Sequence, residues 1–194
     1  MAKLNKHVLG MPWQVDRNTG LVRGARQLHS PHCDERPTGT VIDLLVLHGI
    51  SLPPGEFGGA WIERLFLGTL PADIHPYFAS IATLRVSPHL LIRRDGELIQ
   101  FVSFHRRAWH AGASQYAGQD ACNDFSIGIE LEGSDEVPYM PAQYAELAVV
   151  TRALVGAYPG ITPGRIVGHS DIAPSRKTDP GPAFDWAEFR ARLA

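Results

Sequence analysis

Apolar positions in this chain fall into short runs divided by Gly- and Pro-rich breaks, and the runs follow two different periods. Residues 41–47 (VIDLLVL) form a nearly continuous apolar run rich in branched side chains. Such a run predicts a buried strand, here ending at His48-Gly49. Residues 88–93 and 97–103 flank Asp95-Gly96, a dipeptide suited to the tight turn of a hairpin. Residues 125–131 (FSIGIEL) alternate and predict another strand, and 165–167 a short one leading into Gly168-His169. The helical period is clearest over 141–157, where Pro141 suits a first turn and Leu147, Val150, Leu154 and Val155 make one stripe. Shorter helices are expected over 60–67, 76–84 and 186–193. Residues 1–40 show neither period, with Ser30-Pro31 and Arg36-Pro37-Thr38-Gly39 as breakers. They predict an extended lead-in wrapped on the domain. Strands and helices without a strict βαβ rhythm point to an α+β class: a single domain with a central mixed β-sheet flanked by helices.

Composition narrows the function classes. The 194 residues suit one domain, and 44% hydrophobic with 20% charged residues is ordinary for a globular protein. A formal net charge of -2 supplies no basic field for nucleic acid or an anionic membrane. The first twenty residues do not read as a signal peptide, and no run is long enough to span a bilayer. The two cysteines, Cys33 and Cys122, are most simply reduced thiols, so the expected location is the cytoplasm.

Nine histidines invite a search for metal ligands. His48 and His169 each follow a predicted strand, and Asp179 lies in a loop stiffened by Pro174 and Pro180. Two imidazoles and one carboxylate leave a fourth tetrahedral position open for water, as catalytic zinc requires. The same three also describe the facial triad of a non-haem iron oxygenase. Taken singly, His48 also reads as a hydrogen-bonded strand-end histidine, Asp179 as a turn starter, and His169 as a partner of Asp171. Glu130 sits inside an apolar strand, on the face shared with Gly128 and Glu132. A carboxylate there is costly without a partner or a task, and proton transfer is such a task. Lys177, two residues before Asp179, is placed to stabilise an oxyanion; its plain alternative is a solvated loop cation. Trp109 and His110 are candidates to line a substrate groove, Arg85 to bind a carboxylate, and Tyr77 to cover the site. His89 reads as a satisfied structural histidine.

Six stretches carry a resemblance: LLVLHGISLPPGEFGG (44–59), HPYF (75–78), RVSPHLLIRRDG (85–96), RAWHAGASQY (107–116), CNDFSIGIELEG (122–133) and GHSDIAPSRKTDPGPAFDW (168–186). With these the chain resembles the zinc-dependent N-acetylmuramoyl-L-alanine amidases of the amidase-2 type, nearest to the cytoplasmic branch that acts on 1,6-anhydro-muropeptides. The resemblance implies one zinc ion per chain held by His48, His169 and Asp179, with Glu130 as general base and Lys177 as transition-state stabiliser. It implies muropeptide substrates and a role in cell-wall recycling with a link to β-lactamase control; separately, nothing in the sequence demands more than a monomer, and no nucleic-acid or membrane partner is expected. It divides the chain into a lead-in over 1–28 and a catalytic domain over 29–194. A non-catalytic peptidoglycan-recognition module of the same fold is the alternative. Where the family often has Asn, Cys and in some members Arg, this chain has Gly49, Ser170 and Ala121.

Overall fold

The computed structural model describes residues 13–193. Six strands form its main sheet: β1 (Arg26–Gln27), β2 (Leu44–Ile50), β3 (Leu90–Ile92), β4 (Leu98–Gln100), β5 (Ser126–Glu132) and β6 (Ile166–Gly168). Their spatial order is β6-β2-β5-β3-β4-β1. The first four in that order are mutually parallel, β4 runs antiparallel to β3, and β1 is parallel to β4. The sheet is therefore mixed and central, as the α+β expectation requires.

Five helices cover it: α1 (Trp61–Phe66), α2 (Pro76–Ile81), α3 (Pro141–Ala157), α4 (His169–Ile172) and α5 (Trp186–Leu193). One face packs Leu45, Leu47, Ile127, Ile129 and Leu131 against Leu147, Val150 and Leu154 of α3 and Phe189 of α5. The opposite face of the antiparallel half packs Leu91 and Ile99 against α1 and α2 through Ile62, Leu65, Phe66 and Phe78. Under the parallel half, Leu44 and Val46 meet Ala111, Phe125 and Ile172. A strand buried on both faces must be apolar throughout, which is why residues 44–47 show no alternation.

Three differences from expectation have physical causes. β2 starts at Leu44 rather than at residue 41, because the Asp43 carbonyl and carboxylate are both taken by Arg165 (2.6 Å each) and Val41 is exposed. It then runs through His48 to Ile50, since β5 continues the ladder and pairs Glu130 with His48. The lead-in is not irregular over its described part. Val15–Asp16 pairs with Leu21–Val22, β1 joins the sheet edge, and Trp13, Val22 and Ala25 enter the main core. Buried Gln100 fastens it, accepting from the Val22 N–H (2.7 Å) and donating to Gly20 O (3.0 Å). The remainder of the lead-in, residues 1–12, lies outside the described residues.

Candidate metal and catalytic site

The parallel strands end side by side, and the chemistry gathers at their C-terminal ends. In register, Glu130 of β5 lies beside His48 of β2 and Gly168 of β6 beside Leu47, so His169, the next residue, begins α4 next to His48. Asp179 reaches the same point from the loop after α4, whose Ser170 N–H is bonded to Asp179 O (3.0 Å).

The three candidate ligands converge. His48 Nδ1 lies 2.9 Å from His169 Nδ1 and 3.2 Å from Asp179 Oδ2, and His169 Nδ1 lies 3.1 Å from the same oxygen. The Ala111 carbonyl, 3.2 Å from His169 Nε2, can only accept, so the His169 proton sits on Nε2 and Nδ1 presents a lone pair. Three lone-pair atoms thus point at one place with at most one ring proton to share among them. A cation resolves that crowding, and two nitrogens with one oxygen suit a divalent transition metal.

Electrostatics agree with the geometry. Burial holds the His48 imidazole down at about 4, although Asp179 beside it pulls the other way. Burial also pushes Asp179 up, but the close His169 and His48 rings outweigh it and hold the carboxyl well below its usual range. Both states leave His48 Nδ1 and Asp179 Oδ2 as ligands at neutral pH. Glu130 differs. Burial, reinforced by the Asp179 charge and opposed by Lys177, pushes its carboxyl well above the ordinary value, and Oε2 is buried without a hydrogen-bond partner among the described residues. Its strand is central rather than at an edge, so water does not satisfy it from the side.

These groups floor a groove of about 530 Å3. His48, Glu130, His169, Lys177 and Asp179 form its polar end, while Leu65, Phe66, Tyr77, Ile81 and Leu84 form an apolar wall. Tyr77, 40% exposed on α2, lines the groove as a covering residue would. His110 lines it too, behind His48. Arg85 and Trp109 do not line it: they stack on each other (5.4 Å), and Trp109 Nε1 donates to Asp34 (3.0 Å). His89 is satisfied, accepting at Nδ1 from the Gly128 N–H (3.0 Å) and donating from Nε2 to Arg106 O (3.1 Å).

Sequence reasoning missed the residues that hold the site together. Arg176 donates to Ala111 O (2.7 Å) and Ala113 O (2.9 Å), tying the Lys177 loop to the His110 loop. The Tyr139 hydroxyl donates to Pro180 O (2.9 Å), and it occupies the space a side chain at Gly49 would need. Nothing in local pattern marks either residue; their partners lie 65 and 41 positions away.

Comparison with known proteins follows the same lines. The model of the N-acetylmuramoyl-L-alanine amidase family matches residues 38–182. The 1,6-anhydro-N-acetylmuramyl-L-alanine amidase AmpD of Escherichia coli K12 is 63% identical over 175 residues, covering 90% of this chain and 95% of that protein. The crystal structure of a Se-Met AmpD derivative superposes with a TM-score of 0.88 at 60% identity, over 91% of this chain and 98% of that one. The E. coli amidase AmiD, in complex with the substrate anhydro-N-acetylmuramic acid-L-Ala-D-gamma-Glu-L-Lys, matches with a TM-score of 0.57 at 30% identity, over 81% of this chain and 60% of AmiD.

Proposed function

The chain belongs to the N-acetylmuramoyl-L-alanine amidase family, and from that premise we propose that it hydrolyses the amide between N-acetylmuramic acid, including its 1,6-anhydro form, and the L-alanine of muropeptides released from the cell wall. The observation that carries the reading is the meeting of His48, His169 and Asp179 with half-buried Glu130 and with Lys177 at one end of a single groove. His48, His169 and Asp179 hold one zinc ion. Zinc there supplies Lewis acidity and brings water towards deprotonation near neutral pH.

The chain's own residues do the rest. Glu130, an acid of raised pKa lining the groove, takes the proton of the attacking water and returns it to the alanine nitrogen as the C–N bond breaks. The Lys177 ammonium faces the carbonyl oxygen and gains most when that oxygen becomes an oxyanion. The apolar wall excludes water from one side and presents α2 to the fragment, with Tyr77 contributing an amphipathic ring. Arg85 and Trp109, stacked on each other and not lining the groove, have no assigned part in this reading.

Within the described residues no helix is long and apolar enough to cross a membrane. We place the enzyme in the cytoplasm as a monomer that consumes recycled wall fragments, a position from which it limits the muropeptides that govern β-lactamase expression. The presence of the full ligand set and Glu130 favours catalysis over a binding-only recognition module.

The test is hydrolysis of purified 1,6-anhydro-muramyl tripeptide, read by mass spectrometry, with intact and chelator-stripped protein in parallel. Release of tripeptide and anhydro-sugar, lost on stripping and restored by zinc, is the expected result. Zinc-loaded protein that leaves the amide intact would overturn the assignment.

A further inference from the structure

His110 touches the ligand set from behind, and its surroundings are built to hold it. Its Nδ1 lies 2.9 Å from His48 Nε2, the nitrogen pointing away from the candidate metal. Its Nε2 lies 3.1 Å from the Ser126 hydroxyl. The ring rests on Gly128, where a Cβ would come within 2.5 Å of its Cγ and Nδ1. Asn123 Oδ1 accepts from the His110 N–H (3.1 Å) and the Ala111 N–H (2.8 Å), fixing the backbone on which the ring stands. Hydroxyl, imidazole and imidazole therefore form a line that ends at a ligand atom.

We propose that His110 is a positioning residue that sets the tautomer of His48 through this line. The inference rests on the reading of His48, His169 and Asp179 as a zinc site. A neutral His48 that offers the Nδ1 lone pair to a metal must carry its proton on Nε2. His110 Nδ1 then accepts that proton's hydrogen bond, and His110 Nε2–H donates to Ser126. With no metal the line reverses: His48 Nδ1–H turns to Asp179, 3.2 Å away, His110 Nδ1–H donates to His48, and the Ser126 hydroxyl donates in turn. A serine can end the line in either state because a hydroxyl both donates and accepts. A carboxylate at that position could only accept. This places His110 among the residues that tune metal affinity rather than among those that bind substrate.

The experiment measures zinc affinity by chelator competition for the parent, His110→Leu, His110→Asn and Gly128→Ala, with metal-free melting as a control. Long-range proton–nitrogen spectra of the histidine rings are recorded on the parent. His110→Leu fills the space without an acceptor and is expected to weaken zinc binding roughly 10- to 100-fold. His110→Asn keeps an acceptor near the Nδ1 position and should stay close to the parent. Gly128→Ala leaves every polar group intact but pushes the ring aside, and should weaken zinc as Leu does. The spectra should show His48 and His110 protonated on Nε2 with zinc bound.

Zinc held as tightly by His110→Leu as by the parent overturns the inference, as does a His110 proton on Nδ1 in the zinc form. Equal weakening by Leu and Asn, matched by equal losses of metal-free stability, assigns a packing role only and overturns it as well. A parent that takes up no zinc overturns the proposed function together with this inference; failure of this inference alone leaves the parent's zinc site intact.

Discussion

Two places in the sheet treat buried polar groups in opposite ways. In the antiparallel half, Gln100 is fully buried and fully bonded: Oε1 accepts from the Val22 N–H, and Nε2 donates to Gly20 O and Val102 O. His89, at the junction, has a partner on each ring nitrogen. In the parallel half, Glu130 Oε2 is buried without a partner among the described residues, and three lone-pair atoms crowd together at His48, His169 and Asp179. Satisfied polar groups specify a fold, whereas unsatisfied ones store a cost that only a ligand or a reaction offsets. The difference separates structural polarity from functional polarity within one sheet.

The largest test of that contrast lies at Glu130. Glu130→Gln should lower kcat by about 10^2- to 10^4-fold, the usual worth of a general base. Zinc content should stay at the parent's value, and the melting temperature should hold or rise because a buried, poorly paired carboxyl is gone. Steady-state hydrolysis of an anhydro-muropeptide and thermal melting measure both; a marked fall in melting temperature would place Glu130 with the structural groups.

Gln100→Leu should do the reverse. It orphans the Val22 N–H and two carbonyls, at about 1–3 kcal/mol for a buried unsatisfied group. Denaturant unfolding should show that loss, while kcat per folded molecule, from active-site titration, stays unchanged.

Acid sharpens the contrast further. Burial holds His89 well below an ordinary imidazole, and His48 at about 4. These histidines stay neutral in the metal-free fold while the unfolded chain binds protons near pH 6.5, so the unfolded state binds more protons. Stability is present above that pH and is lost as pH falls towards 4, by about 1.4 kcal/mol per histidine per pH unit. Urea midpoints of chelator-treated protein between pH 7.5 and 4.5 should fall accordingly, and His89→Gln should flatten the slope by one proton.

The smallest expected effect belongs to Gly49→Ala. The new methyl meets the Tyr139 hydroxyl and breaks its bond to Pro180 O, beside Asp179. A stability loss of about 1 kcal/mol should follow, the net worth of one hydrogen bond. A modest rise in the zinc dissociation constant should accompany it, both read on the same sample.

Much of this was legible in the residues themselves. The bounds of α3 and α5, the turn at Asp95-Gly96 and the position of Glu130 on the non-core face of β5 all follow from periodicity and turn chemistry. His48, His169 and Asp179 stand out because strand ends and a proline-stiffened loop display them. What stayed hidden depends on distant partners. The ribbon pairing Cys33–Glu35 with Arg106–Ala108 is too short for a period to register. Trp109 is anchored by Asp34, 75 residues away, and Arg176 finds its carbonyls across two loops. The lead-in joins the core through Trp13 and Val22, two apolar residues in a stretch otherwise rich in breakers.

Strand order has a consequence for how this chain behaves at high concentration. β2 and β5 are the longest strands of the sheet, and β2 is a largely apolar segment of the kind that stacks into fibrils when freed. β2 lies between β6 and β5, and β5 between β2 and β3, so neither presents an open side. The two open edges belong to β1, with two residues, and β6, with three before the chain turns into α4. A neighbouring molecule finds almost no ladder on which to zip. The fold guards its most aggregation-prone segments by where it puts them, and surrenders only stubs at the margins.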